Sequence, residues 1–406
     1  MRGSLRVPVN ARPIAKWTVP PLSPKISASR LNPWCEVSSI RRPLQRELPL
    51  GKSDAPAKRF RLRAVLEFFD DQGNPREVEI DGTTASRFPF QLFRRRVTRL
   101  TTSGAGPLKT GWARIRAEQP IVATSSFGII QEDGTVTTDV GVGDSVAGTT
   151  FTIFADTMGA RNTGLALANP NPNQAVTIQL TLRTADGEPV SQTQIELAPL
   201  GHVARFVDEL FGGAPGIDEF EGTVLLESLT QNLLPAGESP DEEAPLLEFV
   251  GLTLLVTGSV LTSAPMVAPQ PPGAAFTNLA FPQAADGVAG DLRVSTAPIL
   301  LNTTANPASG VIEFFRSDGV PHALGVQGES TDTIHFAIPP GGVYRVETDG
   351  TGAVAVGWAR VTMDQPLTGL VVFTIRDLAG EITAAVGVAA EPLRKNFELF
   401  ANSGRI

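Results

Sequence analysis

Cysteine is all but absent from this 406-residue chain, where Cys35 stands alone. A single thiol excludes intrachain disulfides and any cysteine-based zinc site. It leaves the compartment open, because a cysteine-free body suits both the cytosol and bacterial export. Histidine is nearly as scarce: His202, His322 and His335 are the only three. No stretch approaches the roughly 18 to 20 unbroken apolar residues that a spanning helix needs, so no membrane span is expected. One tyrosine and four methionines stand against 39 glycines and 33 prolines, which marks a chain of many turns. Hydrophobic residues at 42% with mean hydropathy near zero place it among globular proteins, long enough for two to four domains with cores of their own.

Acid outweighs base overall, but unevenly. Residues 1–63 carry fourteen Lys and Arg against Glu36, Glu47 and Asp54, a net +11. The remainder carries 20 basic and 39 acidic residues, a net −19, so the body should repel nucleic acid and anionic lipid. In residues 1–60, nine prolines from Pro8 to Pro56 interrupt every candidate element. That stretch is expected to be a disordered basic leader. It lacks both the apolar run of a secretory signal and, beyond Trp17 and Trp34, the aromatic interleaving of a nucleic-acid arm.

What is present is a phrase spoken twice. Gly111-Trp112-Ala113-Arg114-Ile115, running on to Gln119-Pro120, returns as Gly357-Trp358-Ala359-Arg360-Val361, running on to Gln365-Pro366. The offset of 246 also relates Glu67-Phe68-Phe69 to Glu313-Phe314-Phe315 and Gly73 to Gly319. Residues 62–155 laid over 308–401 without a gap give 29 identities in 94 positions, an internal duplication. A looser echo links Gly164 to Asn169, Asp186-Gly187 and Ala198-Pro199-Leu200-Gly201 to Leu300-Leu301-Asn302, Asp318-Gly319 and Pro339-Pro340-Gly341-Gly342.

Short apolar or alternating runs punctuated by Gly, Pro, Asp and Asn predict an all-β chain of tandem sandwiches. The expected units are β-sandwich 1 over 61–150, lacking its first strands, β-sandwich 2 over 151–270 and β-sandwich 3 over 271–392. Residues 393–406 read as the start of a truncated fourth repeat, because Phe397 to Ala401 echo Phe151 to Ala155. Val203, Phe206, Val207, Leu210 and Phe211 fall at helical spacing and predict a short helix near 203–211. Asp286-Gly287 is expected to turn the chain, and Pro265 to Gly273 reads as a stiff linker. Trp112 and Trp358, flanked by small residues, are expected to pack in the sandwich cores with their N–H groups seeking carbonyls. The competing role for both is ligand binding, as a sugar-stacking platform.

Phe281 to Gly287, Leu300-Leu301-Asn302, Ile312 to Phe315, Ile338 to Gly342, Gly357 to Arg360, Thr163 to Pro170 and His202 to Phe206 resemble the tandem Ig-like or fibronectin-like β-sandwich repeats of large bacterial extracellular proteins. The resemblance covers about 62–406 and lies in these phrases, not in a catalytic motif. It implies export, a secreted or cell-surface location, and adjoining repeats in a longer parent protein.

Chemistry is thinly represented. There is no His-Glu-x-x-His, no Gly-x-Ser-x-Gly and no phosphate-binding Gly-x-x-x-x-Gly-Lys in the chain. His322 and His335 lack an evident third metal ligand. Asp133, Asp139 and Asp144 are spaced too widely for a calcium loop. Arg94-Arg95-Arg96 and Asp241-Glu242-Glu243 read as solvated loops rather than anion or cation sites. No catalytic residue, metal or cofactor is expected. The function that follows is structural or adhesive, a spacer or contact surface that meets other surface proteins or polysaccharide through loops 231–248 and 323–333. A carbohydrate-binding accessory module is the alternative, and an enzyme assembled between units a distant third.

Overall fold

The computed structural model describes residues 38–40, 61–93, 96–104, 107–130, 136–233, 244–269 and 278–390. Strand follows strand throughout, as the alternation of apolar residues and turn clusters requires. The first set is β1 (Ser38–Ile40), β2 (Arg61–Phe69), β3 (Val78–Ile80), β4 (Thr83–Ala85), β5 (Arg87–Phe93), β6 (Trp112–Ala117), β7 (Val122–Ile130) and β8 (Val136–Gly143). Its sheets run β5-β2-β6 and β1-β7-β8, with β3 and β4 as a separate ribbon.

The second set is β9 (Thr150–Asp156), β10 (Arg161–Ala168), β11 (Val176–Thr184), β12 (Pro189–Leu197), β13 (His202–Phe206), α1 (Val207–Leu210), β14 (Glu221–Ser228), β15 (Val250–Thr257) and β16 (Val260–Ala264). They form two four-stranded sheets, β12-β11-β14-β9 and β13-β10-β15-β16. Phe151, Ile153, Leu165, Ile178, Leu180, Val224, Leu226 and Phe249 fill a core shared by both sheets. The short helix expected near 203–211 is a single turn that starts only at Val207. Residues 202–206 instead pair with β10, Ala168 opposite His202 and Gly164 opposite Phe206, because a strand edge offers five residues the ladder that an isolated helical turn cannot supply.

The third set is β17 (Asn278–Ala289), β18 (Leu292–Leu301), β19 (Ala308–Arg316), β20 (Leu324–Val326), β21 (Glu329–Thr331), β22 (Thr333–Ile338), β23 (Val343–Arg345), β24 (Ala355–Met363), β25 (Thr368–Asp377) and β26 (Ile382–Ala389). One continuous path, β22-β19-β24-β17-β18-β25-β26, folds over at β17. Asn278 to Asp286 pair with β24, while Gly287 to Ala289 pair with β18. Asp286-Gly287 therefore turns the chain as a bend within a strand and not as a break between strands. Buried Asp286 accepts the N–H of Gly350 at 2.7 Å, which ties the bend to the loop before β24. With β23 on β18, the two halves repeat the strand order of the second set, β22-β19-β24-β17 and β23-β18-β25-β26.

The duplication is visible strand by strand. β3, β4 and β8 coincide with β20, β21 and β26 after a shift of 246 residues. Even the register irregularity of the last hairpin recurs, between Ile129 and Ile130 and between Ile375 and Arg376. No described strand in the first set pairs as β17 or β23 does. On β7, the place that β18 occupies against β25 is held by Ser38–Ile40, opposite Thr124 to Val122. That short strand corrects the expectation that all of 1–60 is unstructured. The other leader residues, Asp133, Asp241-Glu242-Glu243, the linker past residue 269 and residues 393–406 lie outside the described residues.

Candidate interaction site at the sheet ends

Both tryptophans sit outside the cores that the sequence suggested for them. Along β2 the pleat sends Leu66 and Phe68 inward and Glu67 and Phe69 to the other face. Phe69 pairs in register with Trp112, and Glu67 with Arg114. The indole stacks on the Phe69 ring at 5.2 Å and 29°. Arg114 lies over the same ring at 5.2 Å and donates to Glu67 Oε2 from Nε and Nη2 at 3.3 and 3.1 Å. Burial works against the Glu67 charge, but hydrogen bonds from Arg116 and Arg114 outweigh it and hold the carboxyl below the ordinary glutamate range. The second copy rebuilds this quartet. Phe315 stacks on Trp358 at 4.6 Å and 21°, Arg360 lies 5.1 Å over Phe315, and its Nε and Nη2 reach Glu313 Oε2 at 3.0 and 2.8 Å.

What the quartet meets differs between copies. Trp112 Nε1 donates to the Leu200 carbonyl at 2.8 Å, and Arg114 Nη1 to the Pro170 carbonyl at 3.0 Å. Both acceptors belong to turns of the second set. Beside them the His202 N–H donates to the Asp71 carbonyl at 3.1 Å. The His202 ring is nearly buried, with Nδ1 at 3.1 Å from Asp71 Oδ1. That hydrogen bond is the main cause of the lowered Asp71 pKa. Gly73, at φ +85°, lies so close to this turn that a Cβ would collide with the Pro199 carbonyl oxygen.

The second and third sets meet in the same way. Thr223 follows Gly222 on β14 as Trp112, the first residue of β6, follows Gly111. Its Oγ1 donates to the Gly341 carbonyl at 2.9 Å. The Val343 N–H donates to the Ala185 carbonyl at 2.9 Å. A Cβ on Gly187, at φ +82°, would collide with the Pro340 carbonyl oxygen. The receiving residues match too: Leu200 and Gly341 follow a proline and are left-handed at φ +57° and +73°. Apolar residues back both junctions, Ile129, Val140 and Val142 against Leu254, Val256 and Leu261 at the first, and Phe154, Ala264 and Val267 against Ile299, Leu301, Val343 and Leu370 at the second.

The strand β16 joins all three sets. Ser263 Oγ donates to the Gly141 carbonyl on β8 at 2.5 Å, and the Gly387 N–H on β26 donates to Thr262 Oγ1 at 2.5 Å. Gly141 and Gly387 are 246 residues apart. The edges of three sheets are thereby covered by one another.

The remaining candidate residues do not converge. His335 is exposed on β22 opposite Val311. The backbone N–H of His322 serves Phe314 at 2.9 Å. Asp139 lies on β8 opposite Gly128. Of the three arginines, Arg94 and Arg95 are outside the described residues. Among the described residues no three His, Cys, Asp or Glu side chains are grouped to hold a metal ion, and no helix is long and apolar enough to cross a membrane. Loop 323–333 contains the β20–β21 ribbon, packed through Leu324 and Val326 on the third core.

Comparison with known proteins adds little. No known family matches the chain, and no curated protein does. A chain from the crystal structure of the T13 IBDV viral particle aligns over 91% of this chain and 75% of its own length at 9% identity, with a TM-score of 0.14. A likeness at that level carries no argument about fold or function.

Proposed function

We propose that this chain is a non-catalytic array of three Ig-like β-sandwiches, divided near residues 150 and 270, that acts as a spacer or contact surface. The observation that carries this reading is the repeated junction: the same three backbone-directed contacts, at equivalent positions, join the first set of sheets to the second and the second to the third. A chain that spends an indole, a buried histidine and two left-handed turns on fixing neighbouring units is suited to holding a distance or presenting a surface. Placement in an exported bacterial protein, at the cell surface or secreted, rests on the resemblance of the phrases alone. Spin labels at the exposed positions Thr84 and Ser330, with Cys35 replaced by serine, measure the stiffness. One narrow distance distribution is expected, broadened by Trp112→Ala. A broad distribution in the parent protein would refute the spacer reading.

The carbohydrate-binding alternative finds support in Trp358, half-buried on the outer face, with the Arg360–Glu313 ion pair beside it. An indole flanked by paired donors and acceptors suits a sugar ring. Binding on a glycan array that disappears with Trp358→Ala would favour it, and binding unchanged by that substitution would exclude Trp358 as the platform.

A further inference from the structure

The two quartets are unequal, and the difference lies in what covers each of them. At the first junction the donor end consists of Trp112, the Asp71 carbonyl and Gly73. At the second it consists of Thr223, the Ala185 carbonyl and Gly187. The third set carries the same donor end at equivalent places: Trp358, the Ser317 carbonyl and Gly319. Gly319 holds the same left-handed conformation, φ +82° beside +85° and +82°, yet nothing lies within 4 Å of where its Cβ would stand. Arg316 to Val320 are all exposed. Among the described residues no hydrogen bond reaches Trp358 Nε1 or the Ser317 carbonyl, whereas both counterparts at the first junction are engaged.

From this we infer that the Phe315–Trp358–Arg360 face and the Asp318-Gly319 turn form a docking site for one further β-sandwich unit, one presenting a proline followed by a left-handed residue with a free carbonyl. The inference rests on the array reading and extends the established junction by one step. The chemistry of the occupant follows from the two filled sites. A proline fixes the turn. The left-handed residue after it aims its carbonyl outward to accept the indole N–H. A backbone N–H two residues further on reaches the Ser317 carbonyl, and the missing Cβ at Gly319 lets the proline carbonyl approach. Among the described residues the turns of that kind at Leu200 and Gly341 are occupied, and the other left-handed residue after a proline, Gly216, already gives its carbonyl to the Glu219 N–H at 3.1 Å. The equivalent turn of the first set reads Phe93-Arg94-Arg95-Arg96, so the first unit of a second copy lacks the matching turn.

The test extends the full chain by its own second unit, residues 156–269 fused after Ala401, since Phe397 to Ala401 stand where Phe151 to Ala155 do. Indole N–H exchange is followed by NMR, each tryptophan being assigned by its Phe variant. Trp112 in the same spectrum reports on the array: rapid exchange there would overturn the array reading itself. With Trp112 protected, the docking site predicts at least about tenfold slower exchange at Trp358 in the fusion than in the parent. That protection should vanish when the appended Ala-Pro-Leu-Gly turn is replaced by Phe-Arg-Arg-Arg. An appended unit that melts cooperatively while Trp358 exchange stays unchanged overturns the inference. If the appended unit fails to fold, sedimentation of the full chain with Phe93→Pro, Arg94→Pro, Arg95→Gly and Arg96→Gly decides. End-to-end oligomers abolished by Trp358→Ala support the site, and a monomer at every concentration overturns it.

Discussion

Asn169 and Asn302 are fully buried and are the polar side chains on which the turns of the second and third sets most depend. Asn302 Nδ2 faces the carbonyls of Asn306, Ile338 and Pro339 at 2.7 to 3.1 Å, and Oδ1 accepts the Thr304 N–H at 3.0 Å. Asn169 does the same for Gln174, Leu197, Ala198 and Asn171. Each amide ties the turn after one strand to the proline turn that meets the preceding unit. Asn302→Ala should lower stability by about 3 kcal/mol, because it strands several buried carbonyls, a loss read from denaturant midpoints. Leu200 presents the opposite case, a branched side chain in the left-handed region that glycine holds at 341. Relief of strain outweighs the added freedom of the unfolded chain, so Leu200→Gly should raise stability by about 0.5–1 kcal/mol and leave the Trp112 indole protected. A fall in stability would contradict the strain assigned to that turn.

At the level of elements, the hairpin turns after β2, β11 and β19 share one conformation but not one load. Gly73→Ala adds a Cβ both to a left-handed residue and against the Pro199 carbonyl, so the first junction must open. Gly319→Ala meets only the conformational penalty, about 1–2 kcal/mol. Calorimetry should show the first variant splitting off a separate transition for the first set, while the second lowers one transition without dividing it. Equal effects would mean the turn contact at Gly73 does not hold the sheets together. The short helix expected near 203–211 forms at this same level only in its second half. Its apolar spacing is real, yet Val203 and Phe206 are claimed by the β10 edge and only Val207 to Leu210 remain for a helical turn. Local periodicity cannot register a neighbouring strand edge more than thirty residues away in sequence.

For the whole molecule, acid is the condition that probes the architecture most directly. Carboxyls held below their ordinary range include Glu67, Asp71 and Glu347. Burial opposes the Glu347 charge, but Arg345, Ser295 and Arg376 overcome it. Groups lowered in the folded state add stability that is present above their unfolded pKa and is lost as pH falls through the folded value. Glu221 runs the other way: burial raises it against the pull of Arg345, so its contribution favours lower pH and fades as pH rises through its folded value. Lowered groups, these three among them, outnumber it. The unfolding midpoint should therefore decline below about pH 4, and Glu67→Gln should flatten part of that decline. A midpoint independent of pH between 5 and about 3 would show that these ion pairs contribute nothing net.

Strand content, the 246-residue duplication, the echo in the middle of the chain and the phrase containing both tryptophans were all legible in the order of amino acids, because turn chemistry and side-chain alternation are local properties and a copied segment retains them. Which face of β6 and β24 carries the indole was not. That depends on pleat parity relative to Leu66 and Phe68 and on the neighbour placed against it. The partnership of Trp112 with Leu200, Thr223 with Gly341 and His202 with Asp71 spans 88 to 131 residues. Tertiary structure alone decides such contacts, because backbone carbonyls leave no mark in side-chain sequence and become acceptors only where folding aims them at a donor.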